Sequence, residues 1–178
     1  MKFYRCEICG DPYMGTEKPS HCPFCGAPGK YMVLASEWVD ENKELGQLSE
    51  ISKKNLEQAL QLEVNNTAFY RDAMKKTGNI ELEGIFKNLS KIEAEHAATL
   101  KKILQCEPPP VEPGKEVASD SDRENIDAAH KREQSATAFY RKSAEEAVEP
   151  RVKKVFTALI EIESDHIGLE EALLENME

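Results

Sequence analysis

The sequence predicts a mainly α protein: a four-helix bundle built from two copies of one helical hairpin, preceded by a small four-cysteine module. Three observations carry this prediction. Beyond Gly46 the apolar residues recur at helical spacing almost to the end of the chain. The second half of that region repeats the first at a fixed offset of 70 residues. Four of the five cysteines fall in two Cys-x-x-Cys pairs near the N-terminus.

Residues 1–35 form the first unit. They are rich in Gly and Pro and nearly neutral, with Lys2, Arg5, Lys18 and Lys30 set against Glu7, Asp11 and Glu17. "CEIC" (Cys6, Cys9) and "CPFC" (Cys22, Cys25) are separated by twelve residues. Each pair can hook one metal ion, and two facing hooks make a tetrahedral thiolate site. A module this small has no core of its own, so four unligated thiols would leave it without a staple. Zinc there would be structural; iron would be a one-electron carrier. His21 adjoins Cys22 and reads as exposed rather than as a ligand.

Residues 36–48 are a linker, in which "ASEWVDENKEL" is expected to form a short connecting helix before Gly46. Residues 49–178 are expected to hold four helices, near 50–77, 80–105, 120–147 and 150–176, each about 40 Å long. Gly78-Asn79 separates the first two, with Asn79 as a cap. Prolines forbid a helix in "CEPPPVEPGKEVAS", which makes 106–119 a long crossover loop. Pro150 suits the first turn of the last helix. Cys106, alone at the end of the second helix, needs no function.

The repeat fixes how these helices pair. "EVNNTAFYRDA" at 63–73 matches "EQSATAFYRKS" at 133–143, and "IFKNLSKIEAEHAATLKKIL" at 85–104 matches "VFTALIEIESDHIGLEEALL" at 155–174. Two hairpins joined by a long loop describe a bundle with one crossover connection.

The inward stripe of the first helix is Leu56, Ala59, Leu60, Glu63, Thr67, Tyr70 and Met74; the third repeats it as Ile126, Ala129, His130, Glu133, Thr137, Tyr140 and Ala144. The second helix presents Leu82, Ile85, Phe86, Leu89, Glu93, His96 and Leu100; the fourth presents Val152, Val155, Phe156, Leu159, Glu163 and His166. Each helix therefore sets one glutamate on its apolar face. Two of them add a histidine three residues later, close enough to project together.

Four buried carboxylates without counter-charge would be untenable, whereas two divalent or trivalent cations would supply that charge. Hard oxygens with imidazole suit iron or manganese. A lone Glu-x-x-His in an acidic protein would be an ordinary solvated face. Here the motif occurs twice at one offset, with both partner glutamates also duplicated. The set is that of the ferritin-like di-metal carboxylate bundles. Tyr70 and Tyr140, two turns beyond Glu63 and Glu133, read as core aromatics whose hydroxyls bond to and orient the metal-binding carboxylates. His130, in the place of the repeat-related Leu60, reads as a hydrogen-bonded core histidine ahead of two alternatives, a group that orients the ligands or an alternative ligand.

Composition narrows the partners. The chain has 178 residues, 40% hydrophobic and 31% charged, with a net charge of −10. That charge argues against nucleic acid or an anionic membrane as the main partner. No apolar run reaches the ~20 residues of a membrane span. The first residues lack the apolar region of a secretory signal, so the expected location is cytoplasmic.

Taken together, "CEICGDPYMG…HCPFCGAPGKYMVL" resembles a rubredoxin-like module, and the Glu63, Glu93-His96, Glu133, Glu163-His166 set resembles the di-iron domain of rubrerythrins. The chain is similar to the branch of that family with reversed domain order. The resemblance implies a non-haem peroxidase that reduces hydrogen peroxide to water in oxidative-stress defence. Glu93 and Glu163 would bridge two irons, Glu63 and Glu133 would be terminal carboxylates, and His96 and His166 would complete the set. Iron held by the four cysteines would relay electrons from a reductase or other donor protein. In the family that relay usually runs between subunits, which implies a homodimer or larger assembly. One departure concerns Ala136, which stands where the family's third bundle helix usually bears a second glutamate. The iron movement that this glutamate serves is then not implied, and the site resembles the symmetric centre of a ferritin or bacterioferritin. Two alternatives follow: a ferritin-type ferroxidase that uses oxygen and handles iron, and an electron-transfer or metal-sensing protein whose bundle site is structural.

Overall fold

The computed structural model describes residues 1–177. Three short strands, β1 (Lys2–Cys6), β2 (Pro12–Gly15) and β3 (Met32–Leu34), form an antiparallel sheet in the order β2-β1-β3. Each Cys-x-x-Cys pair closes a tight turn. Gly10 N–H donates to the Cys6 carbonyl and Gly26 N–H to the Cys22 carbonyl, both glycines having positive φ. That conformation favours glycine, which has no Cβ to clash.

The expected helix between module and bundle is absent. Residues 36–48 contain only a 3₁₀ turn at Glu41–Glu44. An eleven-residue helix is marginal on its own. Here the segment's one large aromatic is engaged elsewhere: Trp38 Nε1 donates to the Cys6 carbonyl at 3.2 Å, and the Arg5 guanidinium stacks 4.2 Å over its ring. The linker follows the module's surface instead of coiling.

Four helices follow: α1 (Glu50–Lys76), α2 (Ile80–Leu104), α3 (Asp122–Glu146) and α4 (Pro150–Glu175). Side-chain oxygens of Ser49, Asn79 and Ser121 accept from the first-turn amides of α1, α2 and α3. Glu149, which precedes Pro150, does not cap its own helix; its Oε1 accepts from Ser49 N–H at 2.6 Å, at the start of α1. Helix α2 stops where Gln105 turns left-handed, as C-terminal helix residues commonly do.

Contacts between α1 and α3 fix their direction. Asn55 meets Glu146, Glu63 meets Tyr140, Asn66 meets Arg132 and Tyr70 meets Glu133. From Asn55–Glu146 at one end to Tyr70–Glu133 at the other the numbers run in opposite directions, so these helices run antiparallel. The crossover loop must therefore travel the length of the bundle, and it does so along α1. Gln61 donates to the Pro110 carbonyl, Asn65 to Glu112, and Ala118 N–H to Asp72. The loop's backbone groups thus find partners without forming a helix.

The core stripe falls inside, with three exceptions: Met74, Ile85 and His130 are only partly buried. The four-cysteine module packs on the side of the bundle made by α2 and α4, and its cysteines join the same apolar cluster as Leu100, Val155 and Leu159.

Candidate metal centres

Cys6, Cys9, Cys22 and Cys25 are all buried, with sulfurs close enough to share one ion. Cys6 and Cys25 Sγ lie 3.8 Å apart, as do Cys9 and Cys22. The amides of Ile8 and Asp11 point at the sulfurs of Cys6 and Cys9, each at 3.4 Å. Hydrogen bonding within the quartet, first with Cys22, holds the Cys6 thiol low and pushes Cys9 up. Such a quartet shares its protons unequally until a cation displaces them, and four thiolates fit iron or zinc.

In the bundle, Glu63, Glu93, Glu133, Glu163, His96 and His166 converge on one interior space. Their ligand atoms fall into two overlapping groups: Glu63, Glu93, His96 and Glu163; and Glu93, Glu133, Glu163 and His166. Glu93 and Glu163 belong to both. His96 Nδ1 lies 3.5 Å from Glu63 and 3.4 Å from Glu163, while His166 Nδ1 lies 2.8 Å from Glu163 and 3.5 Å from Glu93. The two imidazoles face each other with ring centroids 6.4 Å apart.

Apart from these histidine–glutamate contacts, both oxygens of Glu93 and of Glu163, one oxygen each of Glu63 and Glu133, and both Nδ1 atoms have no hydrogen-bond partner. So many orphaned polar atoms in a core would be strongly destabilising unless something positive binds them. Burial and the neighbouring carboxylates push Glu93 and Glu133 well above the ordinary range. Burial also opposes the charge on Glu163, but the two histidines outweigh it and hold that carboxyl at about 2. The donor set fits a pair of iron ions.

The tyrosines cross over. Tyr70 Oη bonds Glu133 at 2.5 Å and Tyr140 Oη bonds Glu63 at 2.5 Å, so each tyrosine holds the glutamate of the other hairpin. Seven residues along a helix is about 10.5 Å, too far for a bond to the glutamate of the same helix. The antiparallel pairing of α1 and α3 brings the other glutamate alongside instead. Both phenols are fully buried, and burial raises their ionisation well above the ordinary range, so each remains a donor.

The two centres touch. His96 Nε2 lies 2.9 Å from the Cys25 carbonyl, so its Nε2–H donates there and leaves Nδ1 directed at the carboxylates. Gly26 makes this approach possible: a Cβ on it would meet Ile162 at 3.1 Å. The family resemblance implies that the module of another subunit occupies this place. In this structure the chain's own module lies there.

Two residues at the site, Arg151 and Glu170, carry no local signal in the sequence. Arg151, buried at the start of α4, donates to the Glu7 and Ile8 carbonyls at 2.6 Å each and ties the first cysteine turn to the bundle. Glu170, 1% exposed, lies 2.9 Å from Tyr70 Oη. Burial pushes its carboxyl up to about 8. Its only mark in the sequence is that it replaces the repeat-related Leu100. His130 is partly exposed, 2.9 Å from Gln134 Nε2, and so sits at the edge of the core. His21 is exposed beside Asp165, and Cys106 is a half-buried free thiol.

A helical bundle with a six-residue carboxylate and imidazole cluster and a tetrathiolate module beside it defines a ferritin-like protein with two kinds of metal site. The rubrerythrin family pattern matches residues 54–174, and the chain belongs to the rubrerythrin family, whose members are di-iron proteins associated with oxidative stress. The chain is 32% identical to reverse rubrerythrin-1 of Clostridium acetobutylicum over 58% of its own length. That match spans 62% of the relative's length. In fold it is similar to a hypothetical protein of Pyrococcus furiosus, with a TM-score of 0.61 and 23% identity, over 75% of this chain and 93% of that one. Among the described residues, no helix is long and apolar enough to cross a membrane.

Proposed function

We propose that the protein is a non-haem di-iron peroxidase that reduces hydrogen peroxide to water, fed with electrons through a tetrathiolate iron. Glu93 and Glu163 would bridge the two ions, Glu63 and His96 would complete one position, and Glu133 and His166 the other. The observation that carries this reading is the hydrogen bond from His96 to the Cys25 carbonyl, a through-bond path between the two sites. Storage of iron alone would not need such a path.

When bound, the iron pair supplies the two electrons that peroxide consumes, and a tetrathiolate iron restores them one at a time. The chain's own residues do the rest. The carboxylates balance the metal charge, and His96, held by the Cys25 carbonyl, keeps one ring orientation. Tyr70 and Tyr140 fix the terminal glutamates and hold protons beside them. A donor protein or reductase would deliver electrons to the cysteine module.

An oxygen-using, ferritin-type oxidase is the second reading. Ala136 favours it: it is 2% exposed and packed in the core, so no further carboxylate reaches the cluster from that position of α3. Stopped-flow reoxidation of the fully reduced iron protein decides. Faster reoxidation by peroxide than by oxygen is expected; the reverse order would overturn the peroxidase reading. Bleaching of the ferric tetrathiolate spectrum by a reductant, with recovery on peroxide addition at a rate independent of protein concentration, is expected for a relay within one chain or within a preformed homodimer or larger assembly. Colourless protein with zinc alone in the cysteine site would overturn the relay.

A further inference from the structure

Among the positions where the two copies of the repeat differ, one pair faces each other. In the first hairpin Leu60 and Leu100 are both buried and apolar, whereas 70 residues later they are His130 and Glu170. Both changes occur together, and the two side chains face each other. His130 Nδ1 lies 3.9 Å from Glu170 Oε2, and neither atom has a hydrogen-bond partner. Glu170 Oε1 lies 2.9 Å from Tyr70 Oη, which bonds Glu133 at 2.5 Å. On the other side Tyr140 bonds Glu63, and among the described residues it has no second carboxylate partner.

A buried carboxyl in place of leucine is destabilising unless its polar atoms do something that leucine cannot. The hydroxyl of Tyr70 has one proton to give, and it has two carboxyl oxygens within reach. With that proton donated to Glu133, the contact with Glu170 is a hydrogen bond only when Glu170 brings a proton of its own. The other ionisable groups turned toward this corner are Glu133 and His130 from α3, Glu163 from α4 and, more distantly, Arg132, whose charge is felt at Tyr70. Gln134, exposed on α3, lies 2.9 Å from His130 Nε2. With the amide donating to Nε2, the ring proton sits on Nδ1, facing Glu170.

We propose that His130, Glu170 and Tyr70 form a one-sided proton inlet leading from solvent to the Glu133 side of the metal cluster. This rests on the peroxidase reading for its purpose: reduction of one peroxide to two waters consumes two electrons, from the metal pair, and two protons, from solvent. For each proton, Tyr70 passes its hydroxyl proton toward Glu133 and takes another from Glu170. Glu170 is then refilled from His130 Nδ1–H, and His130 from water at its exposed edge. No group is consumed. The 3.9 Å step is the one link beyond hydrogen-bond length, and a side-chain rotation or a single bridging water closes it. Electrons enter on the His96 side of the cluster and protons on the His166 side, so the two supplies do not share a path.

The full chain loaded with zinc, which is diamagnetic, tests the inlet without catalysis. The Tyr70 hydroxyl proton, followed by NMR, is expected to exchange with water at least about tenfold faster than that of Tyr140. Glu170→Leu and His130→Leu, which restore the residues of the other hairpin, should slow Tyr70 to the Tyr140 rate. Equal rates in the native protein, or a Tyr70 rate indifferent to Glu170→Leu, would overturn the proposal. In iron-loaded protein, Glu170→Leu and Glu170→Gln should both lower peroxide turnover by about 10²-fold with iron content unchanged, the usual scale of general acid catalysis. Glutamine keeps the hydrogen bonds, so native turnover in Glu170→Gln would mean that Glu170 only packs, and would also overturn the inlet. Native protein that exchanges Tyr70 fast but ignores peroxide would leave the inlet standing and remove the peroxidase reading.

Discussion

The two hairpins carry the same glutamates, histidine and tyrosine, yet they sit in different surroundings. In the first, His96 is 1% exposed and bonded to the cysteine module, and Leu60 and Leu100 lie buried in the same apolar cluster as Tyr140. In the second, His166 is 7% exposed, and Tyr70 is backed by Glu170 and His130. Duplication gives the cluster its symmetric donors. What differs between the halves is which outside supply each can reach, and that difference lies one layer beyond the six convergent side chains.

The largest effect should come from the residues that both halves share. Glu93→Gln or Glu163→Gln removes a carboxylate common to both groups of donors, and is expected to abolish stoichiometric binding of both irons, read by metal analysis. In metal-free protein at neutral pH Glu93→Gln should instead raise the melting temperature, because burial and the charges of Glu163 and Glu63 make the folded chain hold a proton on Glu93 that the unfolded chain releases. A variant that kept both metals would break the symmetric assignment.

Next comes the feature that separates the halves. Burial raises Glu170 from 4.5 to about 8. Between those values the folded protein holds a proton that the unfolded chain has lost, so stability falls as pH rises through this window. Glu170→Gln lacks this dependence. Its stability relative to the native protein should therefore grow from pH 4.5 to 8, by at most roughly 5 kcal/mol for such a shift. Parallel unfolding curves at both pH values would show that Glu170 is not held protonated.

The tyrosines offer a smaller, paired test. Tyr70→Phe and Tyr140→Phe should each weaken metal binding about 10–100-fold, the range for groups that orient ligands. Because the bonds cross between α1 and α3, Tyr70→Phe should weaken the Glu133 position and Tyr140→Phe the Glu63 position, as titration of the two sites would read. The smallest effect concerns the helix starts. Asn79→Ala should cost about 1 kcal/mol of folding stability, as for a lost N-cap. Its repeat counterpart Glu149 caps α1 rather than its own helix, so Glu149→Ala should fray α1, seen as faster amide exchange at Ser49–Ser52.

Much of this was legible in the residues alone. Helical periodicity places Glu63, Glu93, Glu133 and Glu163 on apolar faces whatever the tertiary detail, because 3.6 residues per turn fixes which side chains share a side. Proline in 106–119 and the cap at Asn79 set boundaries locally. The linker was misread as a helix because local pattern cannot weigh the pull of Trp38 on the cysteine module. Glu170 and Arg151 gave no local sign either. A glutamate and an arginine near the ends of a helix look like solvated charges until another element covers them.

The sequence by itself determined the two hairpins, the paired cysteine hooks and the six converging side chains, since each follows from short-range spacing and from one repeat. Only the tertiary structure decided that α1 and α3 run antiparallel, so that each tyrosine serves the opposite glutamate. It alone set the Cys25 carbonyl on His96 and faced His130 toward Glu170. Such contacts join residues 40 to 100 positions apart, and their geometry depends on how whole faces pack, which no local periodicity encodes.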